Sequence, residues 1–425
     1  MAGSTSVQDM VRPADCVDLY YYDGATSMKQ CFPTTQNTKY QAGFQTLSAG
    51  QNVFTIPPQN GIQDVVVTMA ITVPAVSTAG SCNLIGGWAY GLIDSVSFRY
   101  GGSSQFFLSG QQLLQNALRK QPSRPTADDV FNLGGNQVTN NASGGAAQLV
   151  YASVVLTLPH NSVPSGVGKP HPLPTDALTQ QCQITLTLKN PATSVFWGSA
   201  VASAPTALTS GTFIVQQVML NNQGDALARR VNMADNAYAF PCEFVQQEQT
   251  ILLQGTFGGI GSTPASLVLT GFRSGEVKSI HCWLTKGSDT STLTSQNDPF
   301  HWYQPLSIEM LYAGDKYAVY NNQVGQLFNI LNGNKIPAFD NFSNVGTTAN
   351  SAGNALLSYW TELPFAQTFV DEDAHYMLVH GRPITNGIIN LNITPPSSAS
   401  DWTLHVSYNY NATLLFSQGT CDYVF

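Results

Sequence analysis

Charge is what this 425-residue sequence has least of. Asp, Glu, Lys and Arg together make up 10% of it, against about 25% in ordinary soluble domains. Asn, Gln, Ser and Thr fill the gap. A surface poor in ions and rich in neutral polar groups suits extensive contact with neighbours, because few charges have to be stripped of water. The 17 basic residues are outnumbered by 25 acidic ones, and no run of Lys or Arg exceeds a pair such as Arg229-Arg230. Neutralising a phosphate backbone takes a basic stripe, so no direct nucleic-acid binding is expected. Long apolar runs are missing as well. None approaches the ~18 residues of a membrane span. The N-terminal MAGSTSVQDMVRPADC has no apolar core of the kind a signal peptide needs, so cytosol-like surroundings are expected.

Cysteine is sparse and odd in number: Cys16, Cys31, Cys82, Cys182, Cys242, Cys282 and Cys421, widely spaced and without a CxxC. Buried free thiols in a reducing compartment are the economical reading. A Cys16–Cys31 pair in an N-terminal arm stays open beside it. Chemical motifs are equally scarce. The seven histidines, His160, His171, His281, His301, His375, His380 and His405, show no HxH or HExxH spacing. There is no GxSxG, and the glycine-rich Gly255 to Gly261 does not follow a strand and open a helix as a phosphate loop would. Asp371-Glu372-Asp373 and Asp128-Asp129 read as solvated loops, and the N-x-S/T matches at Asn141, Asn341, Asn392 and Asn411 as accidents of an Asn-rich chain. No catalytic, cofactor-binding or metal-ligating residue is predicted, and no cofactor.

What the sequence does have is a repeat. In Leu92 to Leu118 a strand with Val96, Phe98 and Tyr100 on one side is broken by Gly101-Gly102. A helix follows, with Leu113, Leu114, Ala117 and Leu118 at helical spacing. Leu306 to Leu331 does nearly the same. Ile308, Met310, Tyr312, Gly314 and Gln323 match Val96, Phe98, Tyr100, Gly102 and Gln111, each 212 residues on (308−96). Further along, Leu158-Pro159 resembles Leu363-Pro364, and Ile184, Leu186 and Leu188 match Ile389, Leu391 and Ile393 at an offset of 205 (389−184). Two matches in one order, at nearly half the chain length, indicate a duplicated domain.

Strands fill the space around the repeat. Ile62 to Val73 sets Val65, Val67, Met69 and Ile71 on one face and should be central. Leu149 to Leu158, Gln183 to Lys189, Phe213 to Asn221, Val277 to Leu284 and Trp402 to Phe416 follow the same alternation. The loops 119–148 and 332–355 are long and rich in Gly, Pro and Asn, and are read as towers or as clasps on a neighbour. The predicted fold is all-β: two tandem eight-stranded jelly-roll sandwiches with short helices. The predicted division is an N-terminal arm over 1–40, a first jelly roll over 41–221, a linker over 222–241 and a second jelly roll over 242–425. The helix-like Asn222 to Pro241 marks the boundary.

Leu92-Ile-Asp-Ser-Val96, then Tyr100-Gly-Gly102 and a helix near Gly110, resembles the first-domain signature of double jelly-roll major capsid proteins. These are the shell proteins of icosahedral double-stranded DNA viruses, in particular nucleocytoplasmic large DNA viruses and their virophage-like and polinton-like relatives. Leu156-Thr-Leu-Pro159, Pro172-Leu-Pro174 and Gln183 to Leu188 are similar to the next conserved passage of that family. Ser274 to Leu284 is similar to a second-domain strand, and Val406 to Asn411 to the last strand. Pro383 to Asn390 and Gly419 to Asp422 depart from the family pattern. The resemblance implies a major capsid protein without enzymatic activity, a homotrimer whose six barrels form a pseudo-hexagonal capsomer. It implies neighbouring capsomers, minor capsid and penton proteins as partners, inner-membrane contact through the N-terminal arm, and a place in the virion after assembly in the host cell. Two rivals come from other classes: a glycan-binding jelly-roll spike or lectin, and a jelly-roll glycosidase, which needs a carboxylate pair that does not stand out here.

Overall fold

In the computed structural model the described residues run from 36 to 424. Outside them lie 1–35, 120–131, 159–172, 221–237, 254–262, 287–299, 322–337, 341–356 and shorter turn segments. The first half contains β1 (Gln36–Phe44), β2 (Gly50–Ile56), β3 (Gly61–Val73), β4 (Asn83–Leu84), α1 (Trp88–Leu92), β5 (Ile93–Arg99), β6 (Phe106–Leu108), α2 (Gly110–Arg119), β7 (Gln148–Leu156), β8 (Cys182–Leu188), α3 (Pro191–Ser194), β9 (Phe196–Trp197) and β10 (Ser210–Leu220). The second contains β11 (Tyr238–Val245), β12 (Gln249–Leu252), β13 (Ala265–Leu269), β14 (Glu276–Lys286), β15 (Ser307–Tyr312), β16 (Asp315–Asn321), β17 (Ala338–Asp340), β18 (Leu357–Tyr359), β19 (Thr361–Pro364), β20 (Thr368–Asp371), β21 (Tyr376–Val379), β22 (Arg382–Pro383), β23 (Ile389–Thr394), β24 (Trp402–Ser417) and β25 (Thr420–Val424).

The long-range pairing makes two sandwiches of one design. The first half forms sheets β1-β10-β3-β7 and β2-β8-β5-β6. The second forms β11-β24-β14-β19 and β13-β23-β15-β16. With the eight principal strands of each half ranked in chain order, both halves read 1-8-3-6 in one sheet and 2-7-4-5 in the other. First pairing with last inside one sheet, and second with seventh in the other, is the strand order of a jelly roll. All these ladders are antiparallel.

The cores follow from alternation. On β3, Val65, Val67, Met69, Ile71 and Val73 are all buried, as the pattern predicts, and Phe213 of β10 stacks on Phe54 of the facing sheet at 4.9 Å. Each such side chain contributes about 1.5–3 kcal/mol by leaving water. On β24, Trp402, Leu404, Val406, Tyr408 and Tyr410 are buried; Tyr408 donates to the carbonyl of Thr270, just beyond β13, so this face meets its own partner sheet.

The strand part of the repeat is structural; the second copy's expected helix, with Gln323, lies over 322–331, outside the described residues. Val96 and Phe98 on β5 pair with Leu186 and Ile184, and Ile308 and Met310 on β15 pair with Ile393 and Leu391. The ladder therefore sets the second offset at 207 (393−186), two residues from the sequence match of 205. A shift of two returns every side chain to the same face, so hydrophobic alternation alone does not distinguish the registers. Local differences also appear. Trp88–Leu92 is one buried helical turn, α1, ending where the strand reading begins. Tyr238 to Pro241, the described end of the helix-like boundary segment, is strand, paired with Thr413 to Phe416. The described part of loop 119–148 clasps its own domain. Val138 bridges Leu84, Gly145 bridges Val76, and the buried Asn140 side chain donates to the Pro74 carbonyl at 2.7 Å.

Candidate functional site: the seam between the two jelly rolls

A group of buried polar side chains, Gln112 and His405 among them, lies where the halves meet. Their centre is α2, and α2 is built from its first residue. Ser109 ends the turn after β6 and caps the helix: its hydroxyl accepts from Gln112 N at 3.2 Å, while Gln112 Oε1 accepts from Ser109 N at 3.0 Å. This reciprocal Ser-x-x-Gln capping box satisfies two donors the helix cannot satisfy itself. Gly110 follows because nothing larger fits: a Cβ there would lie 2.0 Å from the Tyr90 carbonyl oxygen of α1. The apolar stripe Leu113, Leu114 and Leu118 is fully buried in the first jelly roll. Gln112, Gln115 and Asn116 are buried too, so the helix is enclosed on its polar side as well.

The second half supplies that enclosure. Ser109 Oγ donates to Glu248 Oε2 at 2.6 Å, and Gln112 Nε2 donates to the Gln246 carbonyl at 2.9 Å; both partners lie between β11 and β12. Trp283 of β14 donates its indole N–H to Gln111 Oε1 at 2.7 Å and stacks on His405 of β24 at 5.3 Å, the rings nearly parallel. His405 Nδ1 lies 3.4 Å from Glu248 Oε1, an ion-pair distance without the alignment of a hydrogen bond, and its Nε2 meets Thr285 Oγ1 at 2.8 Å. Ser109, Glu248, His405, Trp283 and Gln111 thus close a circuit across the seam. A second tie is Thr179, whose N–H and hydroxyl both reach the Gly419 carbonyl, at 2.9 and 3.1 Å.

The electrostatics fit a clamp. Burial pushes the Glu248 carboxyl up, but the neighbouring His405, the Ser109 hydroxyl and the Lys189 charge outweigh burial and hold it below its ordinary 4.5. Tyr100 of the first half is pushed far up by burial and by the thiols of Cys182, Cys421 and Cys242, the last two from the second half. Burial also raises the Cys82 thiol and takes that of Cys282 up to about 12. The five described cysteines are free and buried, as the sequence reading expects; Cys16 and Cys31 lie outside the described residues.

Thr285, His405 and Glu248 stand in the hydroxyl–imidazole–carboxylate order that nucleophilic enzymes use. Thr285 is only 7% exposed and sits near the end of the β14–β24 ladder, opposite Thr403. All three belong to the second half, and of them it is Glu248 that bonds across the seam, to Ser109. Of the seven histidines, His281 and His405 fall among the described residues. His281 Nε2 faces Asn409 Nδ2 at 2.8 Å within the β14–β24 sheet. Asp128-Asp129, Glu372-Asp373 and Gly255 to Gly261 lie outside the described residues. Sequence reading passed over Ser109, Glu248 and Trp283. The capping pattern Ser109-x-x-Gln112 was a usable signal for the first; Glu248 and Trp283 carry none that reaches across the seam.

No family model and no curated protein matches the sequence. Solved structures do match. The capsid of the virus PBCV-1 superimposes with a TM-score of 0.60 at 13% identity, over 92% of this chain and 98% of that one. The faustovirus major capsid protein gives 0.55 at 10%, over 90% and 91%. The mavirus major capsid protein gives 0.52 at 11%, over 91% and 90%. This is the double jelly-roll fold. At such low identity the likeness speaks for the fold, and it runs through the double jelly roll from end to end rather than through one sandwich. It agrees with the strand order read independently from the ladders.

Proposed function

We propose that the chain is a major capsid protein, the structural subunit of an icosahedral double-stranded DNA virus, acting without catalysis. In this reading three copies form a pseudo-hexagonal capsomer, and capsomers tile the shell. The observation that carries it is the seam: two jelly rolls of identical strand order are fused by a buried, hydrogen-bonded face into one block, in a chain matched over nine-tenths of its length by capsid subunits. The composition supports it, since a surface with few ions suits broad contact between copies. The acidic balance suits a protein that encloses DNA without gripping it.

The division into arm (1–40), first jelly roll (41–221), linker (222–241) and second jelly roll (242–425) belongs to the same proposal. β1 begins at Gln36 and β11 at Tyr238, so strand runs across the first and third of these limits. Neighbouring capsomers, minor capsid and penton proteins, and an inner membrane met through the arm are the partners this reading assigns, in a virion assembled inside the host cell. Light scattering on purified protein tests it: a stable trimer is expected, and electron microscopy should show hexagonal capsomers or closed shells. A monomer at micromolar concentration would sink the reading.

A further inference from the structure

At the N-terminal end of α2 the seam is bonded directly. Ser109 reaches Glu248, Gln111 reaches Trp283 and Gln112 reaches the Gln246 carbonyl. From Ser109 to Gln112 the helix thus advances from Glu248 toward Gln246. Val245 comes next, at the end of β11, and lies opposite Asn409 of β24. One turn further along α2, Gln115 follows Gln111 and Asn116 follows Gln112 on the same side of the helix. This course carries the second turn over Ser407 and Asn409, which share the outer face of β24 with His405.

All four side chains are buried. Gln115 and Asn116 are 1% and 5% exposed, and Ser407 and Asn409 have no exposed surface. Each nevertheless keeps a polar atom without a hydrogen bond among the described residues: Gln115 Nε2, Asn116 Nδ2, Ser407 Oγ and Asn409 Oδ1. Protein interiors seldom leave such groups both dry and unpaired. The facing rows also shrink along this course. Trp283 stands beside His405 at the bonded end, and the next rows are His281 with Ser407 and Ser279 with Asn409. A gap that an indole fills at one end is lined by hydroxyls and a carboxamide at the other, which makes it polar and roomy enough for water.

We propose that ordered water fills this part of the seam and bridges Gln115 and Asn116 on α2 to Ser407 and Asn409 on β24. The two jelly rolls are then joined by direct bonds at the start of the helix and through water one turn on. The chemistry selects water over an ion. The unmatched atoms are amide N–H donors together with a hydroxyl and a carbonyl oxygen. The donors repel a cation and the carbonyl repels an anion, whereas one water molecule both donates and accepts. This holds whether or not the chain forms a capsid.

An experimental density map of the full chain at about 2 Å resolution, in whatever assembly it forms, tests the proposal. Water peaks are expected about 2.7–3.2 Å from the four named atoms, with at least one peak touching both an α2 carboxamide and Ser407 or Asn409. Direct bonds among the four side chains with no peak between them overturn it, as does a peak with the coordination distances of a metal ion. A solution arm compares long-lived internal water, by oxygen-17 relaxation dispersion, in the wild type and in the double variant Asn116→Leu with Ser407→Val. Loss of long-lived water with unchanged far-UV circular dichroism is expected, and an unchanged amount overturns the proposal. Where the double variant does not fold, the map decides alone.

Discussion

Ser109 does three things with one hydroxyl. It accepts the Gln112 N–H, so capping α2, it donates to Glu248, and it thereby joins the halves. Losing a cap costs about 1 kcal/mol, and losing a bond to a carboxylate about 1.5–3 kcal/mol. Ser109→Ala should therefore lower stability by about 2–4 kcal/mol in urea unfolding. Gly110 faces a harder constraint, because the Tyr90 carbonyl occupies the position of its missing Cβ. Gly110→Ala must move α1 or α2, and Tm should fall by more than for Ser109→Ala. At the thiols the expectation is inertness. Burial raises Cys82, Cys242, Cys282 and Cys421 above the ordinary 9.0, and the thiolate is the reactive form. In a chain carrying Cys16→Ser and Cys31→Ser, Ellman's reagent should find almost no thiol at pH 8 until denaturant is added, and then five.

Among elements, the strands were the most legible. Period-two alternation over Ile62 to Val73, Gln183 to Lys189 and Trp402 to Phe416 reappears as β3, β8 and β24 within two residues at either end. α2 was legible through its leucines. α1 was not, because five buried residues of one helical turn have no room to show a period. The seam is where an element-level prediction belongs. Glu248 has a folded-state pKa below 4.5, so its charged form is stabilised by folding. That stability is present in full above the ordinary carboxylate value and is lost as pH falls through the lower folded value. Wild type and Glu248→Gln should differ in Tm at pH 7 and converge as pH falls through the lowered folded value, where the wild-type carboxyl also becomes neutral. A difference that stays constant down to pH 3 would remove the carboxylate from the clamp.

For the whole molecule, low charge makes a prediction about assembly. With 10% charged residues, contact between copies should rest on apolar and neutral polar groups. Raising NaCl from 0.1 to 0.5 M, which shortens the screening length to under half, should change the association constant by less than about 3-fold. Sedimentation at the two salt concentrations checks this. The sequence by itself determined the all-β class, the inward faces of the strands and the duplication, because alternation and spacing are properties of neighbouring residues. It did not determine the seam. Gln111, Gln112 and Glu248 have no periodic signature, and Trp283 is 172 residues from its hydrogen-bond partner. Only the tertiary structure decided which apolar strand faces are covered from across the seam, because burial depends on what the fold brings alongside, and hydrophobicity along a strand looks the same in either case.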